Sequence, residues 1–164
     1  MAINYLRECD GNDIATLYEI QNQSENSFSL MHSVFGYTQT EWGIEQKNGA
    51  DKQSFVMTDR VNDLGFIRLK RKDDVSQSVE LQLSMMSDAP KGVDPADVIT
   101  EIMYQMEKYK NVTRFYSFIF DHETDEKKVL EDAGFIQEAV FDDHIFSQGR
   151  YLDVLVYGIE RGVI

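Results

Sequence analysis

Apolar and polar positions repeat along this chain with two different periods, and the places where the period changes mark out its elements. Residues 3–8 read as a short strand. Asp10-Gly11-Asn12-Asp13 then offers caps for a helix that carries Ile14, Leu17, Tyr18 and Gln21 at helical spacing. Thr38-Gln39-Thr40-Glu41 is a capping-box pattern and predicts a short second helix with Trp42 and Ile44. From residue 53 onward the period falls to two, and runs at 54–58, 64–72 and 78–86, separated by Asp/Asn/Gly/Ser-rich turns, predict an antiparallel meander. In the third run Val79, Leu81, Leu83 and Met85 share one face while Glu80, Gln82 and Ser84 share the other, so a polar row is expected to cross a mainly apolar sheet.

The helical period returns after residue 94. Asp94 stands as a cap, Pro95 as the first helical residue, and Val98, Ile99, Ile102, Met103, Met106 and Tyr109 form an apolar stripe. A strand at 114–120 follows, with aromatic residues on both faces. A helix is then expected at about 125–132, capped by Thr124 and stopped at Gly134. Two long strand patterns, 135–145 and 151–160, are joined by Ser147-Gln148-Gly149 and predict a closing hairpin. The order βααβββαβαββ is an α+β arrangement, and its apolar hairpin edge is a surface on which a second copy can pair to give a homodimer.

Length and charge narrow the function. With 164 residues and no linker or repeat, the chain is expected to fold as a single domain, 1–164. It holds 16 basic and 29 acidic residues, a net charge of −13, which disfavours a nucleic-acid partner and favours a cationic one. The densest block runs from Asp121 to Asp143, with nine acids against two lysines. It is either a solvated helix face or the mouth of a site for a cationic amine. The single Cys9 cannot close an internal disulfide, and no Cys/His cluster suggests a metal site. No stretch approaches 18 uncharged apolar residues, so no membrane partner is expected and a cytoplasmic location is.

The element order, the helix end Val129-Leu130-Glu131-Asp132-Ala133-Gly134-Phe135 and the tail Gly149-Arg150-Tyr151-Leu152-Asp153-Val154-Leu155-Val156-Tyr157 together resemble the GNAT (GCN5-related) N-acetyltransferase family. More narrowly they resemble its ribosomal-protein-alanine and polyamine acetylating branch. The resemblance implies a mixed, mostly antiparallel central sheet of six or seven strands, flanked by about four helices and splayed between the fourth and fifth strands. It implies acetyl-CoA as co-substrate, no metal, and transfer of an acetyl group to a primary amine of a small cationic metabolite or a peptide N-terminus. Within that pattern Glu80 resembles a strand glutamate that serves as general base, and backbone around Ser84, Met85 and Met86 would pair with the pantetheine arm and polarise the thioester.

The same resemblance makes Lys91, Gly92, Val93 and Ala96 the loop that cradles a pyrophosphate at a helix N-terminus, where free N–H groups and the helix dipole favour an anion. Four positions depart from the family pattern. Asp94 stands where a glycine is usual, and Pro95 removes one N–H. At ~6 Å and an effective dielectric of ~20, a carboxylate and a phosphate charge repel by about 3 kcal/mol. Glu123 aligns with a cofactor-contacting Asn, and Leu130 takes the place of a general-acid Tyr. His122, Tyr116 and Ser117 are secondary candidates for moving a proton. The alternative is a protein of the same fold that has lost acetyl-CoA binding and acts as a binding or regulatory module. For Glu80 the plain alternative is a solvated or ion-paired sheet residue.

Overall fold

The computed structural model describes residues 5–22, 52–71, 77–86, 92–147 and 149–162. In chain order these form β1 (Leu6–Glu8), α1 (Gly11–Asn22), β2 (Lys52–Thr58), β3 (Asp63–Arg71), β4 (Ser78–Met85), α2 (Pro95–Lys110), β5 (Arg114–Phe120), α3 (Thr124–Asp132), β6 (Ile136–Ser147) and β7 (Arg150–Glu160). The strands make one sheet of seven in the order β1-β2-β3-β4-β5-β7-β6. Neighbouring strands are antiparallel except β4 and β5, which run parallel. The helix expected after the Thr38 capping box lies outside the described residues, as does Lys91. Among the described residues no helix is long and apolar enough to cross a membrane.

Alternation along the strands sorts the side chains as the sequence pattern requires. On one face Leu81, Leu83, Phe115, Ile119 and Leu155 pack with Val98, Ile99, Ile102 and Met103 of α2 and Val129 and Leu130 of α3 to form the main core. Each such large apolar side chain taken out of water contributes about 1.5–3 kcal/mol before entropy is subtracted. Tyr109, expected in the α2 stripe, is instead exposed in the last turn of the helix with Lys108 Nζ 4.9 Å from its ring. Helix α2 begins as anticipated: Asp94 is extended, its carboxylate accepts from Ala96 N–H at 3.0 Å, and Pro95 takes the first helical position. It ends at Asn111 in the left-handed conformation, φ 54°.

Helix α3 starts one residue earlier than the expected Thr124 cap. Glu123 holds the cap position and makes no side-chain cap bond to α3, because its carboxylate turns back toward β5.

The pairing of β4 with β5 is short. Only Ser78, Val79 and Glu80 are in register with Arg114, Phe115 and Tyr116, although β4 continues to Met85 and β5 to Phe120. Beyond that point each strand follows its antiparallel neighbour. β4 stays on β3 from Val79 to Met85, and β5 stays on β7 along its whole length. Strands that twist with different partners must separate, and a V-shaped gap opens between them with Glu80 and Tyr116 at its vertex.

Candidate active site

The two arms of the gap present backbone groups. Met86 N–H donates to Leu64 O of β3 at 3.0 Å, so the N–H of Met85, one residue earlier, points the opposite way into the gap. There it donates to Oε1 of Glu126, in the first turn of α3, at 2.9 Å. Glu126 is only 5% exposed, and burial raises its carboxyl above the ordinary range despite the Met85 N–H acting in the other direction. On the facing arm Phe120 N–H donates to Glu123 Oε2 at 2.6 Å, and Glu123 is buried too. Together with Asp94 on Ala96, three backbone donors around the gap are each held by a carboxylate of the chain itself.

At the vertex the polar row is continuous and buried. Arg68 of β3 lies in register with Ser54 of β2 and Gln82 of β4. Its Nε donates to Ser54 Oγ at 3.1 Å and its Nη1 to Gln82 Oε1 at 3.3 Å. Gln82 Nε2 in turn donates to Glu80 Oε1 at 3.1 Å. The amide of Gln82 thus links a buried cation to a buried carboxyl, and only one orientation of that amide serves both. Burial lowers the Arg68 pKa to about 10, with the fields of Cys9 and Glu80 acting in the other direction. Glu80 is 6% exposed and sits beside Tyr116, whose hydroxyl is shifted upward by burial and then by the charge of Glu80.

From Tyr116 a row of rings leads outward on the same face. Tyr116 meets Phe118 edge-on at 5.8 Å, Phe118 stacks on Phe141 at 6.5 Å, and Phe141 lies 5.2 Å from His144. Ring faces attract cations, and Asp142 and Asp143 stand in the same strand. A cleft of about 300 Å³ lies elsewhere, lined by Leu6, Phe55, Leu69, Ile102 and Met106, and includes no residue of the polar row. Among the described residues no group of three His, Cys, Asp or Glu side chains can hold a metal ion.

No family model matches the chain, and no curated protein matches it in sequence. Solved structures do. The spermidine N-acetyltransferase of Vibrio cholerae in complex with CoA and spermine superposes with a TM-score of 0.74 at 17% identity, over 95% of this chain and 94% of that one. The dodecameric structure of the Vibrio cholerae enzyme in an intermediate state superposes with a TM-score of 0.72 at 18% identity, over 95% and 92% of the two chains. The chain has the GNAT fold.

Within the GNAT fold, the residues singled out in the sequence are spread over several places. Glu80 is at the vertex. Met85 lines the gap, while the Ser84 side chain joins the polar face and the Met86 amide is engaged by β3. Gly92, Val93 and Ala96 surround the start of α2. Ser117 is fully buried on β5, on the opposite face from Tyr116, and its hydroxyl has no hydrogen-bond partner among the described residues. His122 stacks on Phe120 at 5.3 Å.

Sequence reasoning passed over Arg68, Ser54 and Glu126. Arg68 sits mid-strand between apolar neighbours, which signals an inward charge, but its partners become visible only once the register of β2, β3 and β4 is known. Glu126 was hidden inside the acidic block. Glu123 and Glu126 are buried, so the picture of that block as a solvated face does not hold for them.

Proposed function

We propose that the chain is an acetyl-CoA-dependent N-acetyltransferase acting on a primary amine of a small cationic metabolite or of a peptide N-terminus. The observation that carries the reading is the separation of β4 from β5 directly beyond Glu80, which puts a carboxyl at the vertex of an opening edged by backbone N–H and C=O groups. Transfer of an acetyl group requires a neutral amine held in line with a thioester carbonyl. Glu80 accepts the proton of the attacking amine as the new C–N bond forms and the thioester C–S bond breaks, and the departing thiolate takes up a proton to leave as the free thiol. Gln82 and Arg68 fix the Glu80 carboxyl in place, so no reorganisation is needed at that moment. The ring row and the acids of β6 favour a cation on the approach to Glu80. That a structural neighbour was solved with CoA and spermine supports the same class of reactants.

The residues present fit a thioester carrier in shape but not in hydrogen bonding, since the Met85, Phe120 and Ala96 donors are taken by Glu126, Glu123 and Asp94. This favours a second reading, a GNAT-fold binding or regulatory module that takes no acetyl-CoA. A thermal melt with acetyl-CoA separates the two, because a ligand at 100 times its Kd adds about 2.7 kcal/mol of stability. An upward shift, with an acetylated amine in a panel of small amines and basic peptides, supports the transferase. In that case Glu80→Gln lowers kcat/KM by 10²–10⁴-fold, the usual worth of a general base. No shift at millimolar acetyl-CoA supports the second reading.

A further inference from the structure

We infer that Glu126 is an internal occupant of the gap, a carboxylate that sits on the Met85 amide in place of the carbonyl of a thioester carrier and sets how tightly such a carrier binds. The inference rests on the reading of the gap as the acetyl-CoA site. It stands on geometry first. Glu126 belongs to α3, which follows β5, yet its Oε1 reaches 2.9 Å from an amide on β4, on the far side of the opening. Met86, next in the strand, is committed to β3, so Met85 is the strand-end donor that faces the gap.

The contact matters because of charge. A hydrogen bond from an N–H to a carboxylate is roughly twice as strong as one to a neutral acceptor. The carbonyl of a thioester or of a pantetheine amide is neutral, and it does not displace Glu126 unless the carboxyl is protonated or swings away. A carboxylate left beside the Met85 amide would also repel the oxyanion that develops during transfer, and the phosphates of the carrier. Burial that already disfavours the charged form lowers the cost of clearing it. Glu126 is therefore an affinity-determining residue rather than a catalytic one.

The test uses the full chain as wild type, Glu126→Ala and Glu126→Gln, titrated calorimetrically with CoA. Glu126→Ala is expected to lower the Kd at least tenfold. Glu126→Gln, which removes the charge but keeps an oxygen able to accept from Met85, is expected to fall between. In the absence of CoA, hydrogen exchange at the Met85 amide is expected to accelerate in Glu126→Ala and much less in Glu126→Gln, which reports the contact independently of any ligand. A CoA affinity that neither substitution changes overturns the inference and leaves the acetyltransferase reading standing. No CoA binding by any of the three proteins overturns both, and unaltered Met85 exchange in Glu126→Ala removes the structural basis of the inference alone.

Discussion

Arg68 shows how a charge can be kept inside a sheet. The residue is 7% exposed, with Ser54 and Gln82 accepting its hydrogen bonds and Glu80 supplying the opposing field. Removing the guanidinium leaves the Gln82 carbonyl short of its donor and the Glu80 carboxyl buried without the opposing charge, which costs more than the row itself is worth. Arg68→Ala is expected to lower stability by about 3–5 kcal/mol in urea unfolding, with Arg68→Lys in between because a lysine keeps the charge and loses the fork. A change under 1 kcal/mol would show that the row is not a unit.

Glu126 gives the opposite sign. Its pKa lies above the ordinary 4.5 in the folded chain, pushed up mainly by burial and less by Asp125, with the Met85 N–H and His122 drawing it down. The native state then holds the proton more tightly than the unfolded chain, so stability falls as pH rises from the ordinary value through the raised one. Glu126→Gln is expected to melt above wild type at pH 8, with the advantage shrinking as pH is lowered toward 4.5. A pH-independent difference between the two would refute this assignment. Strand alternation put Glu80 on a polar face and the family resemblance suggested its role, whereas the roles of Arg68 and Glu126 were not legible locally, because both act through partners 14 and 41 residues away.

At the scale of elements the chain was largely legible. β5 occupies the expected 114–120, and α2 opens at Pro95 behind Asp94 as its capping residues dictate. These boundaries are set by local chemistry: a cap, a proline, an alternating run. The gap was not written locally. It was expected from resemblance, and its physical cause is that β4 and β5 each belong to a different antiparallel partner. Two glycines show how differently the sheet tolerates change. A Cβ on Gly65 of β3 would lie 2.6 Å from the Ser84 carbonyl of β4, backbone that cannot yield without moving the strand that carries Met85. A Cβ on Gly158 of β7 would meet the Glu138 carboxylate at 2.5 Å, the far end of a flexible side chain bound to Arg114. Gly65→Ala is therefore expected to cost about 1–3 kcal/mol. Gly158→Ala is expected to cost under about 1 kcal/mol, the worth of a surface ion pair. Equal losses in paired unfolding curves would contradict this reading of the β3–β4 approach.

Taken whole, the molecule has an asymmetric sheet. One edge ends in β1, only three residues long, and the other in β6, a strand of 12 residues bulged in two places. Long edges invite pairing, and the surface at this end of the sheet exposes Ile136 at 67%, Phe146 at 61% and Tyr151 at 62%. A second copy related by a two-fold axis would lay β6 antiparallel to its own image and cover both apolar sets at once. Charge opposes this. The chain carries −13 overall, and β6 itself bears Glu138, Asp142 and Asp143, which such pairing brings close to their own copies. Two consequences follow from the competition between burial and repulsion. Association is expected to strengthen as salt is raised from 0.01 to 0.5 M, because the screening length shrinks from about 30 Å to under 10 Å. Phe146→Asp, which removes apolar area and adds a like charge, is expected to give a monomer under all those conditions. Light scattering coupled to size exclusion reads both outcomes. A wild-type monomer across the whole salt range would mean that the bulges and acids of β6 are enough to keep the edge from pairing.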